Sequence, residues 1–236
     1  MTRPHLSVGM ALVALAVPAL LAGCTGGGAL PTIPPINAGP SAAATPEPTH
    51  PGPTYPPGCP TTQPAALKAN DVRSVTIDTP KGKIVIEIKG SLSPIATANF
   101  VALASCGWYD GVVFHRVIPG FVIQGGDGQF GRVPNVIPGL VGTGGPPYTI
   151  QDEQVTTLYG RGTVAMARSS QPNSVGSQFF IVLDDGARGD LAKYNTYQII
   201  GTVTSGMEVA DAIAAAADGE IPTNPVEMTM VSVATP

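Results

Sequence analysis

Charge is scarce in this chain, and no stretch of it is basic. Asp, Glu, Lys and Arg make up 12% of 236 residues, with 12 cationic against 16 anionic side chains and a formal net charge of −4. A nucleic-acid partner calls for clustered Lys and Arg to neutralise phosphates, so this balance argues against one. Cysteine is as sparse. Cys24, Cys59 and Cys106 are too few for a disulfide-built scaffold, and their spacing matches no zinc motif. The three histidines, His5, His50 and His115, are scattered and make no metal cluster, so no metal or other cofactor is expected. Trp108 is the sole tryptophan. The core must be held by burial.

Long apolar runs are also few. Residues 8–22 form one, and it is short for a membrane span. With Arg3 ahead of it, the run marks residues 1–23 as a targeting segment. It ends in Leu21, Ala22, Gly23 and Cys24, which resembles the lipobox of bacterial lipoproteins, where cleavage precedes the cysteine and its thiol is lipidated. An ordinary cleaved signal and a short membrane anchor are the other readings. The lipoprotein reading implies a diacylglyceryl group on Cys24, and stable anchoring does take more than one acyl chain. The membrane would then be a partner through that lipid, and the protein an extracytoplasmic, membrane-anchored lipoprotein.

Proline is plentiful but unevenly spread, and the first seventy residues hold more than half of the 25. Residues 24–70 therefore read as a lipidated cysteine followed by a disordered tether. Such composition buries too little apolar area to offset chain entropy. It favours extended polyproline geometry at ~3.1 Å per residue, a reach on the order of 100 Å.

The folded domain is expected over residues 71–236, ample for a single core. Residues 72–78 and 83–88 alternate as a β-hairpin. Ser93 and Pro94 have the form of an N-cap with proline at the first helical position, and the helix runs to about residue 105. Further strands are expected at 162–167, 178–183, 198–203 and 228–233, with a second helix at 207–217. Many short strands with two helices suit a closed antiparallel barrel, which leaves no exposed edge.

The chemistry concentrates at residues 114–127, FHRVIPGFVIQGGD. In an alternating strand Phe114, Arg116 and Ile118 share one side and His115 and Val117 the other. Pro119 and Gly120 turn the chain, so that Arg116, Phe121 and Gln124 converge: a donor fork, an apolar floor and an amide. A second block pairs GTVAMA at 162–167 with NSVGSQFFI at 173–181. The two blocks, in this order and spacing, resemble the signatures of the cyclophilin-type peptidyl-prolyl cis-trans isomerases, and the likeness covers roughly residues 71 to 235. The resemblance implies a mainly β fold, a closed eight-stranded antiparallel β-barrel capped by two α-helices. It also implies Pro-containing polypeptides as substrates, and a monomer is expected.

Rotation about an X-Pro bond faces a barrier of ~18–20 kcal/mol because the amide is conjugated. No bond is made or broken, so neither nucleophile nor metal is required. A guanidinium donating to the proline nitrogen and the substrate carbonyl favours the twisted amide over the flat one, which is catalysis by differential binding. Arg116 is the candidate, since arginine stays charged and holds a rigid fork. The resemblance further implies that Phe121, Met166 and Phe180 line the proline slot, with Leu191 closing it. Gln124 and Gln178 would bind substrate backbone, Ala167 and Arg168 would edge the adjoining groove, and Tyr197 stands where many members carry histidine. His115 belongs to the same region, with a structural or substrate-facing role set against an essential one. Asp190 stands where cyclosporin-binding members have tryptophan. Asp152 and Glu153 are adjacent and would face apart, which argues against paired acid/base work. Cys59 and Cys106 admit two states, a bridge pinning the tether to the domain or two free thiols.

On this reading the chain accelerates X-Pro rotation in exported proteins and assists their folding outside the cytoplasm. The alternative is a non-catalytic Pro-peptide-binding chaperone module at the cell surface.

Overall fold

The alternation of residues 72–89 dictates the first hairpin. In the computed structural model, which describes residues 55–234, β1 (Val72–Thr79) and β2 (Gly82–Lys89) pair antiparallel. Val75 and Ile77 from β1 face Ile86 and Ile84 from β2, and all four are fully buried. The expected targeting segment, Cys24 and most of the expected tether lie outside the described residues.

Pro94 opens α1 (Pro94–Ser105) as expected, but Ser93 makes no side-chain capping bond. The free amides are met from elsewhere: Glu153 accepts from Ile95 N and Ala96 N, both at 2.9 Å. A carboxylate at a helix N-terminus complements both the orphan donors and the dipole. Asp152 turns to other partners, Arg168 at 3.0 Å and the backbone of Asn173.

The signature stretch is not one continuous strand. β3 (Val112–Val113) ends just before it, and it holds β4 (Arg116–Ile118) and β5 (Val122–Gly125), with Phe114 and His115 in the break between β3 and β4. Alternation therefore does not carry across it, and Phe114, His115 and Val117 are all buried while Arg116 is only partly so. β6 (Thr163–Met166) and β7 (Phe179–Val182) follow. A short helix missing from the sequence reading, α2 (Arg188–Tyr194), precedes β8 (Ile199–Ser205). Last come α3 (Met207–Ala216), β9 (Glu227–Met228) and β10 (Met230–Ala234).

Eight strands form one antiparallel sheet in the order β10-β1-β2-β8-β6-β7-β5-β4, and β3 pairs with β9 apart from it. The sheet curls around a core of Ile77, Ile86, Val164, Phe179 and Ile181, with Phe100 and Leu103 of α1 and Val209 and Ile213 of α3 packed into it. Two expectations need correcting. The described helices number three α-helices rather than two, and the ladder does not close, because β10 and β4 are its unpaired ends. Single backbone bonds bridge that seam instead: Phe114 N to Val226 O at 2.9 Å and Val117 N to Glu220 O at 2.8 Å. Prolines at 222 and 225 suit a segment that cannot sustain a ladder.

Residues 55–70 contact the folded domain. Tyr55 stacks on Trp108 with ring centroids 5.5 Å apart, and Leu67 N donates to Pro94 O at 3.1 Å. Cys59 and Cys106 are joined, with their Cα atoms 5.2 Å apart. Residues 55–70 have few backbone ladders to offer, and they pack through a ring, a disulfide and isolated hydrogen bonds. None of the helices among the described residues is long and apolar enough to cross a membrane.

Candidate active site

Strands β5, β7 and β6 lie side by side and each sends alternate side chains to opposite faces. Ile123, Phe179, Ile181 and Met166 take the inner face, and Val122, Phe180, Val182 and Ala165 the outer. Ladder pairing sets Gln124 beside Phe180 and Phe180 beside Ala165. Val122 and Phe180 of the outer row floor a slot of about 350 Å³. Leu191, delivered by α2, packs against that floor, and Tyr197 meets the Phe180 ring edge-on at 5.4 Å and 86°. Tyr159 pins Tyr197 by donating to its carbonyl at 3.0 Å and accepting from its N–H at 3.2 Å. Burial pushes the Tyr159 phenol up to about 12, so it stays protonated in this double role.

Arg116 stands on the rim opposite. Its Nε donates to Glu220 Oε1 at 2.7 Å and its Nη1 to Gln124 Oε1 at 3.4 Å. Gln124 Nε2 donates to Gln178 Oε1 at 3.0 Å, and Gln178 Nε2 donates to Gly142 O and Gly144 O at 2.9 and 3.0 Å. Both amides are thereby oriented in sequence. A guanidinium fixed at two nitrogens beside an apolar slot is suited to donate hydrogen bonds to a bound amide, and needs no reorganisation to do so.

Asp127 carries the far end of this chain of bonds. Fully buried, it accepts from Gln129 N and Phe130 N through Oδ1, at 3.1 and 2.9 Å, and from Gly142 N and Gly144 N through Oδ2, at 2.7 and 2.9 Å. Glycine is required at both distal positions. Gly142 has φ +95°, and a Cβ on Gly144 would stand 2.5 Å from Asp127 Oδ1. The loop so folded borders a second groove of about 580 Å³, which shares Gln124, Ala167 and Arg168 with the slot.

The structure brings together Arg116, Phe121, Gln124, Ala167, Arg168, Phe180, Leu191 and Tyr197 around the slot, with Gln178 in the adjoining groove. Two assignments need correcting. Met166 does not line the slot: it is fully buried in the inner core, opposite Phe179 in the ladder. Its place is taken by Val122, which shares a strand face with Gln124. His115 lines neither cavity. It is 5% exposed, beneath Gly142, and burial above all holds its imidazole below the usual histidine range. Arg168 spends its guanidinium on Asp152 and on the carbonyls of Ser169 and Gln171, so it edges the groove as a neutralised wall. Among the described residues no three His, Cys, Asp or Glu side chains gather as metal ligands.

Known proteins resemble this chain. The family model for cyclophilin-type peptidyl-prolyl cis-trans isomerases matches residues 74–233. The chain belongs to the cyclophilin-type peptidyl-prolyl cis-trans isomerases. A probable peptidyl-prolyl cis-trans isomerase of Brucella abortus (strain 2308) is 40% identical over 157 residues, 66% of this cyclophilin and 78% of the relative. Peptidyl-prolyl cis-trans isomerase A of Dickeya dadantii is 36% identical over 149 residues, 63% of this chain and 74% of its own. Among solved structures, a Cryptosporidium parvum cyclophilin-type isomerase superposes with a TM-score of 0.58 at 28% identity, covering 70% of this chain and 99% of the other. The same parasite enzyme has been solved in the presence of the dipeptide Ala-Pro, at 29% identity, a TM-score of 0.58 and coverages of 69% and 99%.

Proposed function

We propose that this cyclophilin is a monomeric, membrane-anchored lipoprotein that isomerises X-Pro bonds in exported polypeptides, with Arg116 as the catalytic group. The observation that carries the site reading is the placement of Arg116, held at Nε and Nη1 on the rim of a slot floored by Phe180 and Val122. A proline ring in that slot leaves its amide under the guanidinium, where donation to the nitrogen stabilises the twisted state more than the planar one. Gln124 and Gln178 serve the substrate backbone, and Phe121, Leu191 and Tyr197 enclose the ring. The relative solved with Ala-Pro supports a Pro-containing ligand.

Location rests on sequence. The Cys24 lipobox and the proline-rich stretch after it support an extracytoplasmic protein, and the Cys59–Cys106 bridge suits an oxidising compartment. X-Pro exchange takes about tens to hundreds of seconds unaided and limits folding, which gives an isomerase there a task.

Two measurements test this. The rate of cis-trans exchange in a short X-Pro peptide is compared for the wild type and Arg116→Ala. Loss of roughly 10²–10³ in rate is expected from removing a transition-state donor, whereas an unaffected variant would reduce the slot to a binding site. When the full chain is expressed with a labelled fatty acid, the wild type should carry the label and Cys24→Ser should not. An unlabelled wild type would refute the lipid anchor.

A further inference from the structure

The geometry points to Glu220 as a positioning residue for Arg116, an inference that rests on the reading of Arg116 as the catalytic group. Glu220 lies 104 residues further along the chain, in the turn after α3. Its main chain is docked on the strand that carries the arginine, where its carbonyl accepts from Val117 N at 2.8 Å. The turn is braced internally by Asp218, which accepts from Thr223 N at 2.9 Å. From that fixed base the Glu220 carboxylate reaches Arg116 Nε at 2.7 Å. Gln124, the cross-strand partner of Arg116 in the ladder, takes Nη1. Nη2 makes no hydrogen bond among the described residues. The guanidinium is thus held at two of its three nitrogens while the third stays available.

A carboxylate beside a catalytic cation acts in two opposed ways. It withdraws field that the transition state would use, and it fixes the plane of a side chain that otherwise samples many rotamers. Exposure decides between them. The side chains of Arg116 and Glu220 are 36% and 59% exposed, so solvent screens the charge. The directional bond to Nε survives that screening better, and positioning wins. Ordering the fork before substrate arrives removes that cost from the reaction step.

The test is a set of four variants assayed for X-Pro exchange and for thermal melting: Glu220→Ala, Glu220→Gln, Arg116→Ala and the double Arg116→Ala/Glu220→Ala. Glu220→Ala is expected to lower kcat by about two- to fivefold, the range that an exposed pair supports, with KM and melting temperature close to wild type. Glu220→Gln keeps an acceptor oxygen and should recover most of the rate. In the Arg116→Ala background the loss of Glu220 should change nothing further. A Glu220→Ala enzyme as fast as or faster than wild type overturns the inference, as does a Gln variant no better than Ala. A further loss in the double variant also overturns it, because the residue would then act independently of the arginine. Should Arg116→Ala itself keep full activity, the catalytic reading falls and this inference with it. Loss in Arg116→Ala without loss in Glu220→Ala removes only the inference.

Discussion

Replacing Asp127 with asparagine tests whether the loop of residues 128–147 is part of the site's framework. The carboxylate is fully buried and accepts four backbone N–H bonds, two on each oxygen. Asparagine keeps the shape and one oxygen, and its NH₂ group then confronts the two donors on the other side. Two bonds to a charged acceptor are lost, each worth roughly 1.5–3 kcal/mol. The loop edge is partly solvated and can relax, so the lower end applies, about 3 kcal/mol in total. For a domain of this size that corresponds to a fall of roughly 6–12 °C in melting temperature. The damage should reach catalysis as well, because Gly142 and Gly144 present the carbonyls that orient Gln178, and Gln178 orients Gln124 against Arg116. Differential scanning calorimetry paired with a peptide-exchange assay gives both readouts. A variant melting within about 2 °C of wild type, with unchanged kcat/KM, would refute the reasoning, since that shift corresponds to less than one such bond.

Other perturbations bear on separate parts of the structure. Cys59→Ser should destabilise the domain by about 4 kcal/mol on the chain-entropy account of its closed loop, and a reducing agent should lower the melting temperature of the wild type but not of the variant. Phe180→Ala removes a ring that is 4% exposed; it should cost about 3–5 kcal/mol of stability and most of the activity, measured by denaturant unfolding and peptide exchange. Met166→Leu should leave substrate KM unchanged because the side chain is inside the core, whereas Val122→Phe should raise KM by filling the slot; the reverse pattern would restore methionine to the site. The His115 imidazole is held below its ordinary value of 6.5 in the folded state. The unfolded chain therefore binds the proton first, and stability falls as pH drops from 6.5 through the lowered folded value. Urea midpoints at pH 7.5 and 5.5 should show that decline in the wild type and a smaller one in His115→Gln.

Local pattern made much of this architecture readable. The hairpin of residues 72–89 follows from strict alternation, and α1 starts where Pro94 places it. α2 has seven residues, including Gly189 and Asp190, too short a run for a helical period to show. Half of the exchange of Met166 for Val122 was within reach of the pattern. Val122 lies two residues from Gln124 and so on its face, while the pairing that sets Met166 beside the buried Phe179 is seen only in the structure. His115 was placed at the site by the family resemblance, whereas alternation already set it on the face opposite Arg116, where it is buried. The open seam and the contact of Glu220 with Arg116 left no local trace, since each joins segments about a hundred residues apart. Only tertiary packing creates them.

The carboxylate that closes the first turn of α1 has a kinetic meaning. Glu153 reaches Ile95 and Ala96 across separations of 58 and 57 residues, and its Oε2 also accepts from Gln198 Nε2, just ahead of β8, at 3.2 Å. Closing a loop of that length costs roughly 3–4 kcal/mol of chain entropy. A 12-residue helix is marginal alone. Closure of this cap therefore depends on the docking of residues 153 and 198 and not on the helix alone. The amide protons of Ile95 and Ala96 should gain protection from exchange only when Glu153 and Gln198 have docked, so two backbone positions report the moment at which that end of the sheet is in place.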